Sequence, residues 1–245
     1  MNIKGTNGVT ELKQLIVLLP TRNEEEGLGE VIDRIPRGDI GERGFSLRVV
    51  VIDGYSTDET CKIAIERGAE LIRQDGGKGK GIGVRQAIES IFSEEGGSSE
   101  DCLVMLDADA TYSPEDITRF IDRLVDYEVV WGSRLRGKIE SMAMSRTNKL
   151  GNQLLSLAAS LVFLRKTTDL CTGYWGFQMP ALRKLPLSAE GFNLEADLFG
   201  SVSKLKMKTK EIVIDYAHRE GESNLKWYKD GPRIFFMIIK KRIFR

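Results

Sequence analysis

A single histidine, His218, stands in 245 residues. A metal centre built on two or more imidazoles is therefore excluded, and a nucleophilic triad would have to use this one ring. Only three cysteines occur, Cys61, Cys102 and Cys171. They are odd in number and far apart, without zinc-ligand spacing, so a reducing compartment is expected rather than a disulfide framework. The stretch 1–13 has no apolar run of the kind a signal peptide needs. The longest apolar stretch, 154–164, is broken by serines and falls short of the roughly 18–20 residues of a membrane span. Excess charge is missing too. Lys plus Arg and Asp plus Glu both number 36, so nothing draws the whole chain toward nucleic acid.

What the chain does contain is a regular alternation. Leu15 to Leu19 is an apolar run ended by Pro20, which reads as a buried strand. From Glu24 to Ile35, Leu28, Val31, Ile32 and Ile35 recur at helical spacing. Val49 to Ile52 predicts a second strand, stopped by Asp53-Gly54. A helix then runs to about Arg67, with Ser56 or Thr57 as its cap and Gly68 as its stop. Strands are expected at Glu70 to Arg73, Leu103 to Leu106 and Glu128 to Trp131. Helices are expected from the glycine- and lysine-rich stretch 76–83 to about Ser93, and from Ser113-Pro114-Glu115-Asp116 onward. The second half is less regular: helix over 145–163, extended chain over 169–179, helix over 192–205 and a strand over 211–216. Near-continuous apolar strands alternating with helices predict an α/β fold with a mostly parallel central sheet, covered on both faces. Ligands of such sheets sit at the carboxyl ends of the strands.

Those ends carry the polar clusters. Asp107 and Asp109 leave a strand one residue apart. Two carboxylates that close repel unless a cation or shared proton lies between them, and hard oxygen donors suit Mg2+ or Mn2+. A solvated turn is the bland alternative. Asp53 ends the second strand, where it can accept hydrogen bonds from a ribose or base or simply close a turn. The run 76–81, Gly-Gly-Lys-Gly-Lys-Gly, fits neither a P-loop nor a dinucleotide fingerprint. A flexible basic loop opening a helix can still meet a pyrophosphate through backbone N–H groups and Lys80, or be plain surface. Arg134, Arg146, Arg219 and Lys226 are separate cations that either converge on an anion or serve as surface charges.

Taken in order, Leu19-Pro20-Thr21-Arg22-Asn23-Glu24, the run 51–58 around Asp53, Gly79-Lys80-Gly81, Asp107-Ala108-Asp109, Gly132-Ser133-Arg134 and the run from Arg219 to Lys226 resemble the family 2 glycosyltransferases of the GT-A fold. Among these they are most similar to the dolichol (polyprenyl) phosphate sugar synthases. The resemblance implies an inverting, metal-dependent transfer of a hexosyl or N-acetylhexosaminyl group from a nucleotide-sugar to a polyprenyl phosphate. It implies that Pro20, Arg22, Asn23, Glu24, Asp53 and Lys80, with Asp107, Ala108 and Asp109, hold the nucleotide-sugar. Asp107 and Asp109 would hold Mg2+ or Mn2+ and, with Arg134, be catalytic. Arg134, Arg146, Arg219, Ser223 and Lys226 would bind the acceptor phosphate. Two positions depart from the mannose-type pattern: Gly54 follows Asp53 where many relatives carry a second acid, and Thr111 stands where a Gln is frequent. Both shift the expected donor from GDP-mannose toward UDP-GlcNAc or UDP-glucose.

The tail is basic. From Arg219 to Arg245 there are eight Lys or Arg and three acids, 8 − 3 = +5, around the apolar stretch 234–239. The expected division is a catalytic domain over 1–228 and a basic amphipathic segment over 229–245. That segment would either lie in a membrane interface or pack as a terminal helix. A protein held peripherally on the cytoplasmic face of a membrane is expected. The alternatives are a soluble family 2 transferase acting on a polysaccharide or small-molecule hydroxyl, a nucleotidyltransferase, and a non-catalytic binding module.

Overall fold

Every residue from Leu15 to Leu19 is fully buried, which a strand achieves only when both faces of its sheet are covered. In the computed structural model, which describes residues 12–94, 100–219 and 227–243, these residues lie in β1 (Lys13–Thr21). The chain continues through α1 (Leu28–Asp33), α2 (Arg37–Glu42), β2 (Phe45–Asp53), α3 (Thr60–Glu66), β3 (Glu70–Arg73), α4 (Lys80–Glu94) and β4 (Cys102–Met105). Then come α5 (Ile117–Leu124), β5 (Val129–Ser133), α6 (Arg146–Phe163), β6 (Trp175–Gln178), α7 (Met179–Leu182), α8 (Leu194–Lys204), β7 (Thr209–Val213) and α9 (Trp227–Ile243).

The strands form one seven-stranded sheet in the order β3-β2-β1-β4-β6-β5-β7. All pairings are parallel except those of β6, which runs antiparallel to both β4 and β5. Alternation along β1 sorts the core into two layers. Ile16 and Leu18 join Val84, Ile88, Phe199 and Ile238 from α4, α8 and α9 on one face. Leu15, Val17 and Leu19 join Val31, Ile40, Ala64 and Phe120 from α1, α2, α3 and α5 on the other. The chain passes from one side of β1 to the other between β3 and β4, which opens a crevice at the carboxyl ends of β1 and β4.

Two helices start later than their sequence periodicity predicts. Helix α1 begins at Leu28 rather than Glu24, because Asn23 is left-handed with φ of 55° and the Glu24 N–H donates to Thr60 Oγ1 at 2.9 Å. Helix α3 begins at Thr60, and neither Ser56 nor Thr57 caps it. Ser56 Oγ instead accepts from the Asn23 N–H at 2.9 Å, and the Thr57 N–H donates to Asn23 Oδ1 at 2.8 Å. Asp58 accepts from both the backbone and the hydroxyl of Thr60. Helix α2 was not anticipated, since Ile40 alone is buried among its six residues.

On the other side of the sheet, α8 is the central helix of a layer with α6 and α9. A methyl on Gly200 would lie within 2.9 Å of Lys241 Cβ and 3.1 Å of Phe163, so only glycine allows the three helices to approach this closely. Lys241 from α9 is buried and pairs with Asp197 of α8 at 2.5 Å. The other Asp197 oxygen accepts the N–H groups of Ser188 and Ala189.

Candidate active site

The loops that leave β1, β2, β4 and β7 meet at one end of the sheet. Thr21 is in register with Asp53 across β1 and β2, and Pro20 with Ile52, so the expected nucleoside-binding residues share one rim. Arg22 on that rim is exposed and Pro20 half-buried. Asp53 is buried and accepts the Ser56 N–H with both oxygens, while Asn23 ties the first loop to the second. The loop of Glu24 to Gly27 then presses on the Asp107–Asp109 backbone: a methyl on Gly27 would lie 2.8 Å from the Asp109 carbonyl carbon. Gly54 leaves little space beside Asp53, since a methyl there would lie 3.2 Å from the Thr21 carbonyl oxygen.

Asp107 and Asp109 stand at the centre. Lys80 Nζ bridges Asp107 Oδ1 at 2.6 Å and Glu195 Oε1 at 2.8 Å. Arg219 bridges Asp109 Oδ2 at 3.0 Å and both oxygens of Glu24 at 2.8 and 3.0 Å. Thr111 donates its N–H and hydroxyl to Asp109 Oδ1. Two glycines fit the Lys80 loop under the site. Methyls on Gly79 and Gly81 would come within 2.2 Å of the Glu190 carbonyl oxygen and 2.5 Å of that of Ala189. Gly173 fits against the Asp107 carboxylate in the same way.

The electrostatics follow from four carboxylates, Glu24, Asp107, Asp109 and Glu195, around two cations, Lys80 and Arg219. Burial raises Asp109, and repulsion from Asp107 adds to it against the pull of Arg219 and the Thr111 hydrogen bonds. Burial likewise raises Glu195 against the pull of Lys80. For Lys80 burial works against the charge, but Asp107 and Glu195 outweigh it and hold the amine protonated. Burial pushes the Glu24 carboxyl up to about 7; Arg219 opposes the rise, and Asp109 and Asp107 reinforce it. A carboxyl raised on folding stabilises the protein below its unfolded value and loses that contribution as pH rises to about 7. Glu24→Gln should therefore leave the melting temperature of the metal-free protein unchanged near pH 4.5 and raise it progressively above the parent's toward pH 8. Parallel melting curves across that range would refute the assignment.

The donor chemistry fits a divalent cation. With all four acids ionised, the cluster holds two more negative charges than its two cations neutralise. All its ligand atoms are hard oxygens, as Mg2+ and Mn2+ require. Among the described residues no three acid, cysteine or histidine side chains converge tightly enough to chelate a cation alone. Asp107 and Asp109 would thus need ligand oxygens from a substrate, as Mg2+ commonly does.

Arg134 is placed differently from the other cations. Only 7% exposed, it forms a bidentate pair with Asp169 at 2.8 Å through both contacts, and donates to the Cys171 carbonyl at 2.7 Å. Asn152 of α6 donates to the same Asp169. The guanidinium lies over Tyr216 and Tyr112, and Tyr112 follows directly on the Asp107–Thr111 loop. Arg146, the first residue of α6, is exposed. Ser223 and Lys226 lie outside the described residues. His218 is exposed, and its N–H donates to Glu140.

Glu195 is the member of the cluster that sequence reading passes over. Its signal is an acid inside the apolar run 192–199, Phe-Asn-Leu-Glu-Ala-Asp-Leu-Phe. A charged residue fully surrounded by core positions needs a partner, and Lys80 supplies it.

Comparison with known proteins places the family and the fold. The family model described as glycosyl transferase family 2 matches residues 16–186. Glycosyltransferase AglJ of Haloferax volcanii is 32% identical over 228 residues, 92% of this chain and 71% of that protein. A dolichyl-phosphate hexose transferase of the same organism is 31% identical over 230 residues, 92% of each chain. Among solved structures, glucosyl-3-phosphoglycerate synthase from Mycobacterium tuberculosis, crystallised with Mn2+, UDP and glucosyl-3-phosphoglycerate, superposes with a TM-score of 0.71. That match covers 94% of this chain and 80% of the other at 21% identity, a likeness of fold. The fold is of the GT-A type, and the chain is a glycosyltransferase that belongs to family 2.

Proposed function

We propose that this glycosyltransferase moves a sugar from a nucleotide-sugar to a polyprenyl phosphate with inversion, and that it requires a divalent cation. The observation that carries the proposal is the cluster at the end of β4, where Asp107 and Asp109 stand between two tethered cations, Lys80 and Arg219. Relatives of the chain bear names of dolichyl-phosphate and undecaprenyl-phosphate sugar transferases, which supports the acceptor class.

In this reading Asp107 and Asp109 hold Mg2+ or Mn2+, which would neutralise charge on the departing nucleoside diphosphate. Pro20, Arg22 and Asp53 line the nucleoside end, and Asn23 shapes it by joining two loops. Ala108, fully buried under Gly27, fixes the spacing of the two carboxylates. Lys80 and Arg219 exchange carboxylate partners for phosphate oxygens as substrate enters. Arg219, Arg146, Ser223 and Lys226 receive the acceptor phosphate. Arg134 acts through Asp169 and the Tyr112 ring, as a positioning residue. An acceptor phosphate oxygen forms the bond to the anomeric carbon as the bond to the diphosphate oxygen breaks on the opposite side. The phosphate is already anionic at neutral pH, so it needs orientation by cations and no base. A hydroxyl acceptor would need a base as well as orientation, and the one histidine, His218, faces solvent.

Gly54 and Thr111 favour a UDP-sugar, UDP-GlcNAc or UDP-glucose, over GDP-mannose. The acceptor calls for peripheral attachment to a membrane, and the cytoplasmic face is part of the same proposal. The test is a screen of labelled UDP- and GDP-sugars with Mn2+, with and without polyprenyl phosphate. Label is expected in the lipid phase from a UDP-sugar, only when both the lipid phosphate and the metal are supplied. Equal transfer to a water-soluble hydroxyl acceptor without lipid would overturn the acceptor assignment.

A further inference from the structure

Helix α6 turns an apolar stripe to solvent. Leu150, Leu154, Leu157 and Leu161 are 57%, 59%, 57% and 66% exposed, and Leu164 just past the helix end is 89% exposed. Their spacing of four, three, four and three residues puts them on one side of the helix. The opposite side is buried through Asn152, Ser156 and Ala159. A row of exposed leucines this long is not ordinary surface, and it calls for an occupant. Helix α9, packed beside α6, likewise exposes Phe235, Phe236 and Ile243.

Charge identifies the occupant. Residues 141–168, which contain α6, hold Arg146, Lys149, Arg165 and Lys166 and no acid. After Asp230, the chain through α9 holds Arg233, Lys240 and Arg242 besides the buried, paired Lys241, and again no acid. A second copy of the same surface would bring like charges together, which disfavours self-association. An anionic bilayer matches both features, since its interface takes up apolar side chains while its head groups attract the flanking cations. The stripe also starts at the right place: Arg146 opens α6, and Asn152 one turn and a half further on holds the Asp169–Arg134 pair.

We propose that the leucine face of α6, flanked by α9, is the surface by which this protein docks on an anionic membrane. The proposal deepens the polyprenyl-phosphate reading and rests on it for its purpose. It moves the principal contact from the terminal segment to a helix in the middle of the chain.

The test uses the full-length protein with Leu154, Leu157 and Leu161 all replaced by Gln, positions whose exposure keeps the fold intact. An unchanged melting temperature checks this. The parent should float with phosphatidylcholine vesicles that contain phosphatidylglycerol, not with phosphatidylcholine alone, and should dissociate in high salt. The triple variant should bind at least about tenfold more weakly. Transfer to a short-chain, water-soluble prenyl phosphate should be the same in both proteins. Undiminished flotation of the variant would overturn the docking face. So would a parent dimer in lipid-free solution that the three substitutions dissociate, because the stripe would then be a contact between copies. Absence of transfer to any prenyl phosphate by the parent would instead count against the polyprenyl-phosphate reading, and the flotation result would still decide the face.

Discussion

Replacing Asp109 by asparagine is expected to lower sugar transfer by about two to three orders of magnitude, with the fold unimpaired. Asparagine keeps an oxygen for the N–H and hydroxyl of Thr111, and Arg219 retains both oxygens of Glu24. One of the four crowded carboxylates is removed, so the repulsion that raises Asp109 and reinforces the rise of Glu24 is relieved. The melting temperature should stay the same or rise. What is lost is a charged oxygen donor for the divalent cation. Transfer assayed over a Mn2+ series, alongside thermal melts, separates the effects. Parental activity in a folded variant would sink the metal assignment; lost activity with a lowered melting temperature would make Asp109 structural instead.

The largest expected effect on stability comes from Asp169→Ala. Asp169 is fully buried and accepts the backbone N–H and two guanidinium N–H bonds of Arg134 as well as the Asn152 amide. Burial opposes its charge, but Arg134 and Asn152 outweigh it and hold the carboxyl below its usual range. Alanine would leave the guanidinium enclosed by Tyr112 and Tyr216 without its counter-charge, a loss of about 3–5 kcal/mol. For a chain of this size that is a fall in melting temperature of roughly 6–20 °C. The double variant Asp169→Leu, Arg134→Met should regain most of it, because an apolar pair can occupy the same space at little cost. If the single variant melts with the parent, the pair is not the internal tie that its geometry describes.

The strands were legible because their cause is local. Leu15 to Leu19 is apolar throughout since both faces of β1 are covered, and Glu70 to Arg73 appears as β3 where its pattern placed it. The aspartate pair was legible for the same reason: a strand end is a place the chain marks for itself. What stayed hidden depends on partners far along the chain. Lys80 reads as a free phosphate-binding cation until Glu195, 115 residues later, comes beside it. Ser56 reads as a helix cap until Asn23 takes its hydroxyl. Arg134 reads as an anion-binding residue until Asp169 encloses it. The antiparallel run of β6 is hidden as well, since alternation gives a strand's faces and not its direction.

The buried contact between Lys241 and Asp197 has a consequence for anyone who trims this protein. Sequence composition invites a cut near residue 228, where the chain turns basic and aromatic. Such a shortened form would lose Lys241 and leave Asp197 without its cation. Asp197 holds the N–H groups of Ser188 and Ala189, and the carbonyls of Ala189 and Glu190 form the floor against which Gly79 and Gly81 lie. Lys241 thus braces, through two loops, the turn that carries Lys80 to Asp107. A fragment ending before it is expected to express as a loosened protein with weak nucleotide affinity. The working unit of this transferase is therefore expected to include α9 through Lys241.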